Sequence, residues 1–128
     1  MKSTQAGDAS TEPQVIRCYV YAHVARSNPL AIQRQIQDGY ALAGSLSGPG
    51  AEYQVVRVFQ DDGGSGRSAN RPAYEEMLAG LERGDAAAVL VFREDRLYRD
   101  PDLQKAYSEI SNRLGVETYS VESGRLGR

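Results

Sequence analysis

Stretches typical of β-strands alternate with stretches typical of α-helices along this 128-residue chain, and that order constrains the fold most strongly. The clearest strand is the apolar run at 86–92, which is far shorter than the ~20 residues that a membrane helix needs. Alternating strands and helices build βαβ units, whose strands lie parallel in one sheet. We therefore predict an α/β domain with three layers, in which a mainly parallel sheet of four or five strands carries helices on both faces.

The residue pattern also predicts approximate limits for each element. Strands are predicted at 15–21, 53–59, 86–92 and 116–121. Helices are predicted to begin near residues 30, 72 and 101, and the first should face the core with Ile32, Ile36, Tyr40 and Ala43. Gly84 and Gly115 should end the second and third helices, because glycine is common just past a helix C-terminus. We expect a disordered leader at 1–13, one domain at 14–122 and a frayed tail at 123–128.

Three loops of this predicted fold hold nearly every residue that suggests chemistry. Right-handed crossovers bring the C-terminal ends of parallel strands to one edge of the sheet, where open α/β sheets bind ligands. The loops that meet there are 22–29, 61–70 and 93–100. The last contains Arg96 and Arg99, and a guanidinium suits phosphate because it donates two parallel, charge-assisted hydrogen bonds. The pattern therefore indicates a phosphate site at this edge.

Three segments in fixed order carry a family resemblance. They are YAHVA at 21–25 with Ile32 and Gln33 or Gln35 after it, FQDDGGSG at 59–66 with Arg71 and Pro72 after it, and EDRLYR at 94–99 after Gly84, Asp85 and an apolar strand. Together they resemble the catalytic domain of the serine recombinases, which include resolvases, invertases and large integrases. The resemblance covers about residues 15–121.

The resemblance implies a domain that cuts and rejoins specific DNA sites through a covalent phosphoserine link, with no metal or other cofactor. In such a domain Arg71, Arg96 and Arg99 would bind the scissile phosphate and neutralise charge in the transition state. Asp95 would orient these guanidiniums or take part in proton transfer. Ser65 would hydrogen-bond near the phosphate. The full-length protein would work as a homodimer or tetramer.

Two positions depart from the family pattern. His23 stands where the family has an arginine, and Ala25 stands where it has the nucleophilic serine. Alanine has no hydroxyl, so no covalent link to DNA can form at that position. Three possibilities stay open: an inactive recombinase-like protein, an engineered change, or a variant loop in which Ser27 is the nucleophile. We favour loss of cleavage, because this chemistry tolerates little misplacement.

The same residues also fit roles without catalysis. The chain could be a non-catalytic recombinase-like domain that dimerises with, or regulates, an active relative. A receiver-like module is disfavoured, because the exit of the first strand lacks an acidic cluster. Considered by itself, Ser27 fits a helix cap and His23 fits a structural role. Arg93 fits an ion pair with neighbouring carboxylates.

Composition limits which partners the protein can bind and which cellular compartment it suits. A net charge of −2 gives no general basic footprint for DNA, so binding would rest on a local arginine cluster. Family members usually continue into a long helix and a DNA-binding domain, and we expect this chain without them to bind DNA weakly. No apolar run is long enough for a membrane partner. The lone Cys18 fits a reducing compartment, so we expect a cytoplasmic location.

Overall fold

The computed structural model describes residues 12–63, 71–98 and 100–126. Its strands are β1 (Gln14–Val24), β2 (Ala51–Asp62), β3 (Ala88–Val91), β4 (Glu117–Ser120) and β5 (Gly124–Arg125). Its helices are α1 (Pro29–Leu46), α2 (Pro72–Glu82) and α3 (Pro101–Leu114), and a short 3₁₀ turn lies at Glu94–Arg96. Within these ranges, no helix combines the length and the apolar character needed to cross a bilayer.

The five strands form one sheet in the order β2-β1-β3-β4-β5. The pairs β1–β2, β1–β3 and β3–β4 are parallel, and β5 pairs with β4 in the antiparallel direction. This arrangement confirms the predicted α/β fold with a mainly parallel sheet. From β1 the chain passes to β2 on one side of β1, and it then returns to β3 on the other side of β1. The strand order therefore reverses between β1 and β3. Ligand crevices in open α/β sheets form at such a reversal.

Helices cover both faces of the sheet, as predicted, and β1 is buried against both layers. On one face Tyr19 and Tyr21 pack with residues of the second and third helices, namely Tyr74, Met77, Leu81 and Tyr107. On the other face Cys18 and Val20 pack with Ala43 of α1 and with Leu90. Residues of a strand point alternately to its two faces, so one buried strand supplies both cores.

The prediction that Tyr40 faces the core is wrong, because its side chain is 53% exposed. The buried residues of α1 are Ile32, Gln35, Gly39 and Ala43. Gly39 approaches β1 so closely that an added Cβ would lie 2.8 Å from a methyl carbon of Val20. The contact stripe therefore runs through Gly39, and the neighbouring Tyr40 lies outside it.

Several element limits differ from the sequence prediction. Strand β2 extends through Asp62, so Asp61 belongs to a strand instead of the long loop. Strand β3 is shorter than the apolar run that predicted it. Gly124 and Arg125, within the segment predicted as a frayed tail, pair with Ser120 and Tyr119 as β5. Gly115 ends α3 with a left-handed φ of 71°, as its position predicted.

Burial of Cys18 leads to a prediction about alkaline pH. The thiol is fully buried, and desolvation raises its pKa from 9.0 to about 11. The unfolded chain therefore loses this proton at a lower pH than the folded chain, and the free energy of unfolding falls as pH rises from about 9 to 11. The loss from Cys18 should reach about 3 kcal/mol.

This effect can be measured by urea unfolding of the natural chain and of Cys18→Ala at about pH 8 and about pH 11. The natural chain should lose more free energy of unfolding than Cys18→Ala between the two pH values. Both proteins should also lose free energy of unfolding through their buried tyrosines, because burial raises the pKa of Tyr21, Tyr74 and Tyr107. Equal losses in the two proteins would contradict the prediction.

Candidate functional site

Four of the residues singled out in the sequence line one cavity at the C-terminal ends of β1 and β3. The cavity has a volume of about 270 Å³ and is lined by His23, Ala25, Asp95 and Arg96. We call it the switch-point cavity, because it lies where the strand order reverses. It brings together both positions that depart from the family pattern and two residues of the arginine-rich segment.

The main chain of His23 is held in place by the buried side chain of Gln35 in α1. The Gln35 amide oxygen accepts from the His23 N–H, and its amide nitrogen donates to the His23 carbonyl, both at 3.0 Å. The His23 ring stacks near the Tyr21 ring, with 6.2 Å between centroids and 16° between planes. Because a two-bond clamp fixes residue 23, a change of its side chain should leave the backbone in place.

Arg71 lies behind the turn that carries Arg96, with its side chain almost entirely buried. Its Nη1 donates to the Arg96 carbonyl at 3.0 Å, and its Nη2 donates to the Leu97 carbonyl at 2.8 Å. The guanidinium carbon also lies 4.1 Å from the centre of the Tyr74 ring. Two of the five N–H donors of Arg71 therefore support the 3₁₀ turn from inside the protein.

Asp61 is a central residue of this region that the sequence analysis did not single out. Its buried carboxylate accepts from the Tyr21 hydroxyl at 2.7 Å and from the backbone N–H groups of Ala73 and Tyr74 at 3.0 Å. Those N–H groups open α2, and a carboxylate at a helix N-terminus is favourable. One signal in the sequence could have pointed to it: Arg71 precedes the Pro72 that begins α2, and a guanidinium has no acceptor for the first N–H groups of a helix, so the acceptor had to come from another segment.

The Asp61 contact also keeps Tyr21 neutral. Burial raises the pKa of the Tyr21 phenol, and its hydrogen bond to Asp61 raises it further, while the positive charge of Arg71 opposes both effects. The phenol therefore remains a donor over the whole physiological range. Tyr21, Asp61 and Arg71 together join β1, β2 and the start of α2.

Asp95 forms ion pairs with two guanidiniums, both longer than a hydrogen bond of good geometry. Its Oδ1 is 3.7 Å from Nε of Arg96 and 3.5 Å from Nε of Arg93. Both Nε atoms are buried, and neither has a hydrogen-bond acceptor among the residues that the structure describes. The carboxylate of Asp95 thus provides the negative charge nearest to both buried Nε atoms.

Ser27 lies on the opposite side of the same loop, next to the end of β2. Its hydroxyl donates to Asp62 Oδ2 at 3.4 Å, and the neighbouring N–H of Asn28 donates to Asp62 Oδ1 at 2.7 Å. The Gly63 N–H adds a bond of 3.0 Å to the Val24 carbonyl. The loop is thus tied to β2, and Ser27 is not among the residues that line the switch-point cavity.

The other two predicted site residues, Ser65 and Arg99, lie outside the described residues. A larger cavity of about 480 Å³ lies on the far side of the 3₁₀ turn, but it is acidic. Its lining has the four carboxylates of Glu94, Asp95, Asp100 and Glu122 against the guanidinium of Arg93, whereas the switch-point cavity has the carboxylate of Asp95 beside Arg96 and His23. The larger cavity would therefore repel an anion more strongly. Across the ranges that the structure covers, no group of three or more His, Cys, Asp or Glu side chains could hold a metal ion. The switch-point cavity is therefore the better candidate for binding phosphate.

Comparison with known proteins agrees with this fold. Residues 3–126 match the sequence model of the family described as "Resolvase, N terminal domain". No curated protein matches the sequence.

Solved structures also resemble the chain. The C-terminal catalytic domain of ISC1926 TnpA, an IS607-like serine recombinase, is 27% identical with a TM-score of 0.71, over 83% of this chain and 70% of that one. The N-terminal catalytic domain of TP901-1 integrase is 24% identical with a TM-score of 0.70, over 84% and 78%. A resolvase family site-specific recombinase from Streptococcus pneumoniae is 24% identical with a TM-score of 0.69, over 85% and 74%. At 24% identity, the latter two support the fold alone.

Proposed function

Since this chain belongs to the resolvase N-terminal domain family of serine recombinases, we propose that its switch-point cavity binds a phosphodiester group of DNA. The observation that carries the proposal is the shared lining of one cavity by His23 and Arg96. Arg96 lines the cavity, and its guanidinium can donate charge-assisted hydrogen bonds to a phosphate oxygen. Arg71 would contribute by holding the carbonyl of residue 96, which fixes where the Arg96 side chain begins.

The same proposal holds that the natural chain does not cut DNA through a serine link. Ala25 lines the cavity where a nucleophile would be needed, and its side chain has no hydroxyl. Ser27 would have to leave Asp62, whose carboxylate would also repel an approaching phosphate. The domain would therefore keep the anion-binding part of the recombinase site and lack its nucleophile.

Replacing Arg96 by glutamine should weaken binding of a short DNA duplex about tenfold, because one charge-assisted hydrogen bond to phosphate is lost. The slope of affinity against salt concentration should also fall by about one. Fluorescence anisotropy at several salt concentrations measures both quantities.

The matched control is Arg113→Gln. Arg113 donates from Nη1 and Nη2 to the Glu82 carboxylate on the exposed surface between α3 and α2, away from the cavity. Its loss should leave both the affinity and the salt slope nearly unchanged. An equal loss in the two variants would mean that DNA contacts the chain through general charge, and it would refute the proposed site.

The remaining proposals follow from membership of the family. The catalytic domain predicted at 14–122 would also include β5, with a leader before residue 14. A full-length form would act on DNA as a dimer or tetramer in the cytoplasm. Ala25 also favours a second candidate function, in which the domain pairs with an active relative and regulates it without cutting DNA itself. Mixed with such a relative, it would then lower the yield of recombined product in proportion to its share.

A further inference from the structure

A second cavity adjoins the switch-point cavity and shares Arg96 with it. It has a volume of about 190 Å³ and is lined by Ala31, Arg34, Gln35, Asp38, Phe92 and Arg96. We call it the Phe92 cavity. Pockets for whole drug-sized ligands measure about 300–1,000 Å³, so this cavity suits a smaller group, such as one ring system. Because Arg96 lines both cavities, a group bound here would lie next to a phosphate in the switch-point cavity.

One wall of the Phe92 cavity is apolar and partly aromatic. It is formed by Phe92 and Ala31, and unpaired bases bind to proteins by packing on aromatic rings of this kind. The guanidinium carbon of Arg93 lies 5.6 Å from the centre of the Phe92 ring, but Arg93 is not among the residues that line the cavity. A flat ring therefore fits against this wall.

The polar part of the lining places a donor beside an acceptor. Arg34 and Asp38 lie four positions apart in α1, so they are neighbours on one helix face, with about 5–6 Å between their Cβ atoms. Among the described residues, neither side chain takes part in a hydrogen bond or an ion pair. By contrast, both polar atoms of the Gln35 amide bond to the main chain of His23. Arg34 and Asp38 are therefore the polar groups that α1 can offer to a ligand in this cavity.

We propose that the Phe92 cavity binds an unpaired guanine base of DNA, with the neighbouring phosphate in the switch-point cavity. The pairing edge of guanine carries two adjacent donors, the N1–H and N2–H₂ groups, beside the acceptor O6. Asp38 would accept from the two donors, Arg34 would donate to O6, and Phe92 would contact the face of the ring. The inference rests on the proposed function, because the bound phosphate brings the base to this place.

The other DNA bases match this lining less well. Adenine has an acceptor at N1 where guanine has a donor, and a carboxylate would repel it. Cytosine and thymine each offer a carboxylate one donor group on their pairing edge, where guanine offers two. The hydrogen bonds to Asp38 should therefore distinguish guanine from all three.

The test compares the single-stranded trinucleotides d(TGT), d(TAT), d(TCT) and d(TTT), because a base in a duplex would first have to leave its pair. They carry the same two phosphates and differ in the middle base alone. Binding is followed by NMR titration of the ¹⁵N-labelled protein, with dimethyl phosphate as a ligand that has no base. The natural chain should bind d(TGT) about tenfold more tightly than d(TAT), because adenine cannot donate twice to Asp38.

Asp38→Asn should remove this preference, because an amide offers a donor as well as an acceptor and can pair with N1 and the N6 amino group of adenine. In this variant the affinity for d(TGT) should be equal to, or below, that for d(TAT). The matched control is Glu109→Gln, which removes the same charge from an exposed position of α3 that lines neither cavity. It should keep the tenfold preference of the natural chain.

The two kinds of ligand separate the two proposals. Failure of dimethyl phosphate to bind at Arg96 would refute the proposed function and the inference that rests on it. If dimethyl phosphate binds there but the four trinucleotides bind equally, the guanine site is overturned and the proposed function stands. A preference of the natural chain for another base, or a preference for d(TGT) that Asp38→Asn leaves intact, would also overturn the guanine site.

Discussion

The double change His23→Arg and Ala25→Ser should give this chain the ability to form a covalent link to DNA that the natural chain lacks. The serine would supply a hydroxyl on the wall of the cavity that Arg96 already lines, and the arginine would add a second permanent cation. Both changes place a polar or charged group beside bound phosphate, where it can act on the transition state. We expect adduct to rise from background by at least ~100-fold, because a positioned nucleophile is gained.

The measurement is a denaturing gel of protein incubated with a labelled, nicked DNA substrate that traps the covalent intermediate. Two matched variants sharpen it. Adding Ser27→Ala to the double change should leave the adduct intact, and Ala25→Ser alone should give less adduct than the double change. An adduct with the natural chain that disappears in Ser27→Ala would show that Ser27 is the nucleophile, contrary to this account.

Replacing Asp61 by alanine should lower the free energy of unfolding by about 3–5 kcal/mol. The change leaves three donors without their acceptor: the buried Tyr21 hydroxyl, the buried Tyr74 N–H and the partly buried Ala73 N–H. Each buried, unpaired donor costs about 1–3 kcal/mol, and part of that cost is recovered when the structure relaxes. Urea unfolding followed by circular dichroism measures the loss.

Asp62→Ala is the matched control, because this exposed carboxylate accepts, among the described residues, from Ser27 and Asn28. Its cost should stay near 1 kcal/mol, the usual net value of such contacts. Combining Asp61→Ala with Tyr21→Phe should cost less than the sum of the two single changes, because both remove the same hydrogen bond. Strict additivity, or equal costs for Asp61→Ala and Asp62→Ala, would contradict the central role of Asp61.

Much of the fold could be predicted because it depends on patterns that lie within single segments. The apolar run around β3 by itself indicates a buried strand, and the glycine after α3 by itself indicates the end of a helix. Tyr40 shows the limit of such reasoning, because helical spacing alone cannot tell that Gly39 sets the line of contact with Val20. The short strand β5 was missed because its polar residues pair through their backbone, which leaves little trace in the sequence.

The site was predicted less completely, for a related reason. Residue types and order identified His23, Ala25, Asp95 and Arg96, and the topology brings these four to one cavity. They could not reveal that the Arg71 guanidinium donates to the carbonyls of residues 96 and 97, because that depends on the path of a turn in another segment. Asp61 was overlooked because its partners lie 12 to 40 positions away along the chain.

The central claim is that His23 and Arg96 form one site for a phosphodiester. Titration of ¹⁵N-labelled protein with dimethyl phosphate, followed by NMR, tests it most directly. The account predicts that the Arg96 Nε–H signal and the His23 ring signals shift together with one dissociation constant, and that both shifts vanish in Arg96→Gln. Shifts confined to Arg93 and Tyr98, on the acidic side of the turn, would contradict it.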